Sequence, residues 1–252
     1  MFLDVQNVMK IFHSSEKSIT AIKNLSLHVS KGELLCILGP IGCGKSTLLN
    51  MIAGFEKPTS GRILLEGREI EEPGPDRIMV FQEETLFPWM TILNNIMFGL
   101  RLKGLSDEES KREARRFLSL VGLERFSTFR PHELSGGMKR KAELARALAI
   151  NPKILLMDEP LSSIDAVSRA NLLREILSVW ERTGKTIIYV THNIDEALYL
   201  ADRIIVLTAR PARIKREIRI DESRPRDLLS NSIIDLKRDL LEDLAQSHVL
   251  AE

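Results

Sequence analysis

Cysteine is scarce: Cys36 and Cys43 are the only two in 252 residues. They are too few and too close to frame a disulfide-stapled secreted fold, and no metal-ligand spacing surrounds them. A reducing compartment is the simpler setting. An excess of charge is also missing. Lys and Arg total 36 against 35 Asp and Glu, a net charge of +1. No bulk positive field exists to hold nucleic acid or an anionic membrane without a specific site. Apolar runs are short, such as Ile154-Leu155-Leu156-Met157, well below the roughly 20 residues of a membrane helix. The N-terminus has no charged start followed by an apolar run, so no signal peptide is expected. Any role at a membrane would have to come through a partner.

What is present is an ordinary globular composition, 44% apolar and 28% charged. That excludes disorder, and the length suffices to bury a core. Leu25, Leu27 and Val29 alternate with polar residues as in a half-buried strand. After a turn at Lys31-Gly32, Glu33–Leu38 is nearly all apolar, as a buried parallel strand should be. A glycine-rich loop, Gly39–Gly44, leads into a helix from Lys45. Arg62–Leu65 reads as another strand. From about Leu86 to Ile150 the apolar spacing becomes helical and charges fill the other faces. Strand patterns return at Ile154–Met157, Ile187–Val190 and Ile204–Leu207. Strands alternating with helices imply a mostly parallel sheet with right-handed crossovers. Leu229, Ile233, Leu236, Leu240 and Leu244 form one face of a final amphipathic helix, about 228–245, expected to pack on the core.

Gly39-Pro40-Ile41-Gly42-Cys43-Gly44-Lys45-Ser46 fits the pattern G-x-x-x-x-G-K-[ST] between a strand and a helix. Glycines let successive backbone N–H groups turn toward phosphate oxygens, and the helix N-terminus adds partial positive charge. Lys45 would reach the β- and γ-phosphates, Ser46 would ligate Mg²⁺, and Thr47 could bond the α-phosphate. The strand and helix on either side argue against a chance glycine-rich turn. Asp158 and Glu159 end an apolar strand, where ligands of parallel sheets sit. Asp158 would hold Mg²⁺, directly or through water, and Glu159 would polarise an attacking water. His192 follows a third strand; it is either a γ-phosphate contact or a structural histidine.

A second glycine signal, Leu134-Ser135-Gly136-Gly137-Met138, opens a helix expected over Lys139–Ile150, with Ser135 as a candidate N-cap. One nucleotide has no obvious need of two such helix ends, which suggests a split site in which one subunit caps the nucleotide of another.

With these residues in hand, the chain resembles the ATP-binding subunit of an ABC transporter over essentially its whole length. Gly39–Thr47 is similar to the Walker A loop, Gln82 to the Q-loop glutamine and Leu134–Met138 to the signature. Ile154–Glu159 is similar to Walker B, Ser162–Asp165 to the D-loop and His192 to the switch histidine. Phe12 stands where the family places a ring against adenine; its other reading is a core phenylalanine on a short strand. Finer marks resemble importers of nitrate, aliphatic sulfonates and taurine: Pro73–Arg77, Val80–Glu83, Phe87-Pro88-Trp89, Met138 and Ala209–Ile214. Departures from the family pattern are Ile41, the run Lys139-Arg140-Lys141-Ala142-Glu143 in place of a more usual Arg-Gln-Arg-apolar-small, Ser163-Ile164, and Asn193.

The resemblance implies an α/β P-loop NTPase fold of the ABC ATPase type. It has a mostly parallel sheet core, an N-terminal antiparallel β subdomain and an inserted α-helical subdomain. Residues 1–85 and 151–220 would form the nucleotide-binding core with its β subdomain, 86–150 the helical signature subdomain and 221–252 a helical tail. The activity implied is ATP hydrolysis with Mg²⁺. Glu159, His192, Lys45 and Gln82 would be catalytic. Phe12, Gly39–Thr47, Ser135, Gly136 and Gly137 would contact the nucleotide, and Ser46, Gln82 and Asp158 the metal. Implied partners are a second copy in a head-to-tail homodimer, a multispanning permease and, indirectly, an extracytoplasmic substrate-binding protein, with no nucleic acid. The place is peripheral, on the cytoplasmic face of the inner membrane. Phe87, Trp89, Met90 and Met97 would offer apolar groups to the permease, or else pack the insert's own core. The competing reading is a soluble ABC-type ATPase acting on nucleic acid or ribosomes. Its basic clusters, Lys111–Arg116 and Lys139–Lys141, read more simply as solvated helix faces.

Overall fold

A computed structural model describes residues 2–14 and 17–249. In chain order it contains β1 (Leu3–His13), β2 (Ser18–Val29), β3 (Leu34–Leu38), α1 (Lys45–Ala53), β4 (Ser60–Leu65) and β5 (Arg68–Glu69). Next come β6 (Arg77–Val80), α2 (Ile92–Leu102), α3 (Asp107–Leu120), α4 (Gly136–Ala149), β7 (Ile154–Asp158) and α5 (Ala166–Thr183). The chain continues with β8 (Thr186–Thr191), α6 (Ile194–Leu200), β9 (Arg203–Leu207), β10 (Ile214–Arg219) and α7 (Asn231–Val249). Two compact units result: one gathers the described residues within Met1–Gly74 and Thr186–Glu252, the other Pro75–Lys185.

The first unit holds an antiparallel sheet in the order β2-β1-β4-β5. It also holds a parallel set in which β3 lies between β8 and β9, with β10 antiparallel on β9. Every residue of β3, β8 and β9 is buried, which is why these strands read as continuous apolar runs and not as alternation. Helix α1 ends at Ala53 because Gly54 takes the left-handed cap conformation, φ 85°. In α7, Ile233 and Leu240 are buried, but Leu229 precedes the helix and is 80% exposed, so the expected apolar face is shorter than its sequence pattern.

The second unit pairs β6 and β7 in parallel and carries the helical insert. Helix α3 begins with a capping box between Ser106 and Glu109, and three acids in its first turn complement the helix dipole. Met97 is buried in α2 and therefore packs the insert, so it is unavailable to a partner. The Lys139–Lys141 cluster is not a solvated face. Lys139 pairs with Glu84 at 3.0 Å, Lys141 with Glu175 at 3.2 Å, and Arg140 is buried against Glu143. Among the described residues, no helix is long and apolar enough to cross a membrane.

Candidate functional site

The structure divides the predicted residues between the units. Phe12, Gly39–Thr47 and His192 lie in the first; Gln82, Ser135–Gly137, Asp158 and Glu159 lie in the second.

In the first unit, Leu38 at the end of β3 is in register with Thr191 at the end of β8. The 39–44 loop and His192 thus leave the carboxyl ends of neighbouring parallel strands, where ligands of such sheets bind. Lys45 is buried, and its Nζ donates to the carbonyls of Gly39 and Pro40, each at 2.9 Å. The ammonium therefore spans the loop from within. Gly44 sits at φ 120°, and a Cβ there would lie 3.0 Å from the Ala21 carbonyl oxygen. Only glycine takes that conformation without strain, and a side chain would press on β2. Ser46 on the first turn of α1 is exposed, and the Ile41 side chain is 80% exposed. Arg210 donates to the Gly42 carbonyl at 2.7 Å. Sequence reading missed this contact, although Arg210 lies in the segment Ala209–Ile214 that it had singled out. Phe12 is 41% exposed on β1 with the Lys10 ammonium 5.0 Å from its ring centroid, which removes the core reading.

His192 is exposed between two anchored residues. The Thr191 hydroxyl accepts from the Asn193 amide at 3.0 Å, and Asn193 caps α6 by accepting from Asp195 and Glu196. Asn193 is thus an N-cap, a role it fills as well as aspartate would.

In the second unit, Val80 at the end of β6 is in register with Met157 in β7. Gln82 and the pair Asp158-Glu159 therefore leave adjacent strand ends. Asp158 is largely buried, whereas Gln82 is exposed. Glu159 has φ 43°, a left-handed conformation that a glutamate adopts only under constraint. No sequence signal announced it. Beyond it, Asp165 caps α5; hydrogen bonds from Ser168, then Val167, hold its carboxyl below the usual range. Ser135 caps α4 by accepting from the Met138 amide at 3.4 Å. A Cβ on Gly136 or Gly137 would meet nothing closer than 3.5 Å. Packing within this chain does not account for the glycine pair, whereas close approach of an outside group would.

Comparison with known proteins agrees with this geometry. Residues 22–162 match the family described as ABC transporter. The chain is 47% identical over 242 residues to an uncharacterized ABC transporter ATP-binding protein of Methanocaldococcus jannaschii, covering 96% of this chain and 91% of that protein. It is 41% identical over 239 residues to a nitrate import ATP-binding protein of Synechocystis sp., covering 95% and 90%. A dimeric ATP-binding cassette solved in a post-hydrolysis state with ADP and Pi superposes with a TM-score of 0.77 at 33% identity, over 88% of this chain and all of that one.

Proposed function

This chain belongs to the ABC transporter family, and from that premise we propose that it is the ATP-hydrolysing subunit of a membrane importer of small anions: nitrate, aliphatic sulfonate, taurine or similar. The carrying observation is that within each unit the chemistry-bearing segments leave the carboxyl ends of paired parallel strands, β3 with β8 in the first and β6 with β7 in the second. Relatives of like length named for import support the same reading.

The residues divide the work as follows. The 39–47 loop and Lys45 bind the nucleotide phosphates, and Lys45 exchanges its loop carbonyls for phosphate oxygens. Phe12 covers the base. Glu159 orients the attacking water, while Gln82 and His192 contact the γ-phosphate. The residue types suit a Mg²⁺ that arrives with the nucleotide, all being hard oxygen donors: in the first unit the exposed Ser46 hydroxyl, and in the second the Gln82 amide oxygen and the Asp158 carboxylate would hold it. Among the described residues no group of three His, Cys, Asp or Glu could hold a metal unaided. Bound Mg²⁺ would supply charge neutralisation on the β- and γ-phosphates. In a head-to-tail homodimer, the Ser135–Gly137 helix end of one chain closes over the nucleotide of the other and excludes water.

The permease docks on the second unit. A groove of about 390 Å³ there is lined by Met79, Phe87, Phe98, Leu102, Arg146 and Ile150. Trp89, 67% exposed, stacks beside it on Phe87 at 5.6 Å. The protein would sit at the cytoplasmic face of the inner membrane, with the substrate-binding protein engaged only through the permease. Nucleic acid is not expected as a partner, since the Lys139–Lys141 charges are already paired.

The test is to isolate tagged Glu159→Gln protein from detergent extract with ATP and identify its companions by mass spectrometry. A multispanning membrane protein is expected. Ribosomal or nucleic-acid components alone would overturn the reading in favour of the soluble ATPase.

A further inference from the structure

The departure at Lys139–Glu143 has a structural counterpart. Arg140 and Glu143 lie three residues apart on α4, so they share a face. Their side chains are 5% and 2% exposed, and Arg140 Nη1 lies 2.7 Å from Glu143 Oε2. A buried ion pair alone is a poor source of stability, because desolvation offsets the attraction unless the remaining hydrogen-bonding capacity is filled. Here the filling comes from one segment. Arg140 donates to the carbonyls of Phe81 at 3.0 Å and Glu83 at 3.2 Å, and also to that of Gln82. Glu143 accepts from the Thr85 amide at 2.5 Å and its hydroxyl at 3.1 Å. Farther along the same helix, Arg146 donates to the Thr85 carbonyl at 2.8 Å. Residues 81–85 form neither strand nor helix. Their backbone groups find partners on α4 side chains where a regular segment would use backbone.

We infer that Arg140 and Glu143 are positioning residues that make the Gln82 segment and the Ser135–Gly137 end of α4 one rigid body. Arg140 stands about one helical turn from Gly136. A displacement of Gln82 therefore moves the glycine pair with it, and the reverse. The inference rests on the functional reading above, which gives both segments a nucleotide contact.

The experiment uses the full chain with Arg140→Gln and Glu143→Ala combined, which restores the more usual residue types and removes both charges of the buried pair together. Amide exchange of 81–85, ADP affinity and steady-state ATP hydrolysis are measured. Exchange at Thr85 should rise roughly tenfold or more, since its acceptor is gone. ADP affinity should hold within about twofold while kcat falls roughly tenfold. Arg140→Lys, which keeps the charge without the planar fork, should fall between. Unchanged exchange, or faster exchange with unchanged kcat, overturns the inference alone. Absence of ATP hydrolysis in the unaltered protein overturns the functional reading and this inference with it.

Discussion

The hydroxyl of Thr191 donates to Oε2 of Glu196 at 2.8 Å, and that carboxylate oxygen also accepts from the Tyr189 hydroxyl at 2.9 Å. All three residues are buried. The contacts tie the last residues of β8 to the first turn of α6, with His192 on the short link between them. Replacing Glu196 by Ala deprives two buried hydroxyls of this acceptor, and each such loss costs about 1–3 kcal/mol. Glu196→Ala should therefore lower stability by about 3 kcal/mol in denaturant titration. Glu196→Gln retains a carbonyl acceptor and should cost less than half as much. Equal effects from the two variants would disprove the role assigned to the carboxylate position.

Glu159 combines a proposed catalytic carboxylate with a left-handed backbone, φ 43°. Asparagine tolerates that conformation better than glutamate. Glu159→Asn should reduce ATP hydrolysis at least a hundredfold. It should leave the melting temperature unchanged or raised, corresponding to a gain of up to about 1 kcal/mol. A fall in both would mean that Glu159 holds the fold and is not strained for chemistry.

Phe12 has an exposed face on β1, beside the Lys10 ammonium. Ring stacking is worth about 0.5–1.5 kcal/mol. Phe12→Ala should weaken nucleotide binding by roughly 3- to 10-fold, and Phe12→Trp should restore it. Titration with a fluorescent ADP measures both, and unaltered affinity in the alanine variant would remove Phe12 from the site.

These predictions draw unequally on what the sequence made legible. The buried strands and the helix starting at Lys45 were readable, because continuous apolar runs and a glycine-rich turn are local signals. So was Ser135 as the cap of α4. What escaped was long-range or depended on the environment. Arg210 meets Gly42 from 168 residues away. The Arg140–Glu143 pair looks like ordinary helix-surface charge until the 81–85 segment is laid over it. Met97 is indistinguishable in sequence from an exposed methionine, and Leu229 extends an apolar period that the helix itself does not reach. Periodicity shows which faces are apolar, not where an element begins or what covers a charge.

Cys36 is fully buried in β3, and burial, reinforced by the charge of Glu196, pushes its thiol well above the ordinary range. The thiolate is the reactive form. Cys36 in the native protein should therefore resist iodoacetamide at pH 8 and label only on unfolding, so its labelling in urea should track the loss of circular dichroism. Rapid native labelling at Cys36 would require a local opening of β3.

Trp89 tests the permease surface. Its ring is 67% exposed, yet it is held by Phe87, which in turn meets the Phe98 ring edge-on at 5.0 Å and the Arg146 guanidinium at 5.5 Å. An exposed aromatic held in place by its neighbours has already lost much of the freedom that binding would otherwise remove, and such residues dominate interface energetics. Trp89 lies in the second unit and the 39–47 loop in the first. Trp89→Ala should reduce co-purification of the membrane partner by roughly tenfold or more while ADP affinity stays within about twofold. Leu102→Ala, on the groove lining, should act in the same direction more weakly. Loss of nucleotide affinity in step with partner binding would point to a general folding defect. Unchanged partner recovery from both variants would place the permease on a different surface.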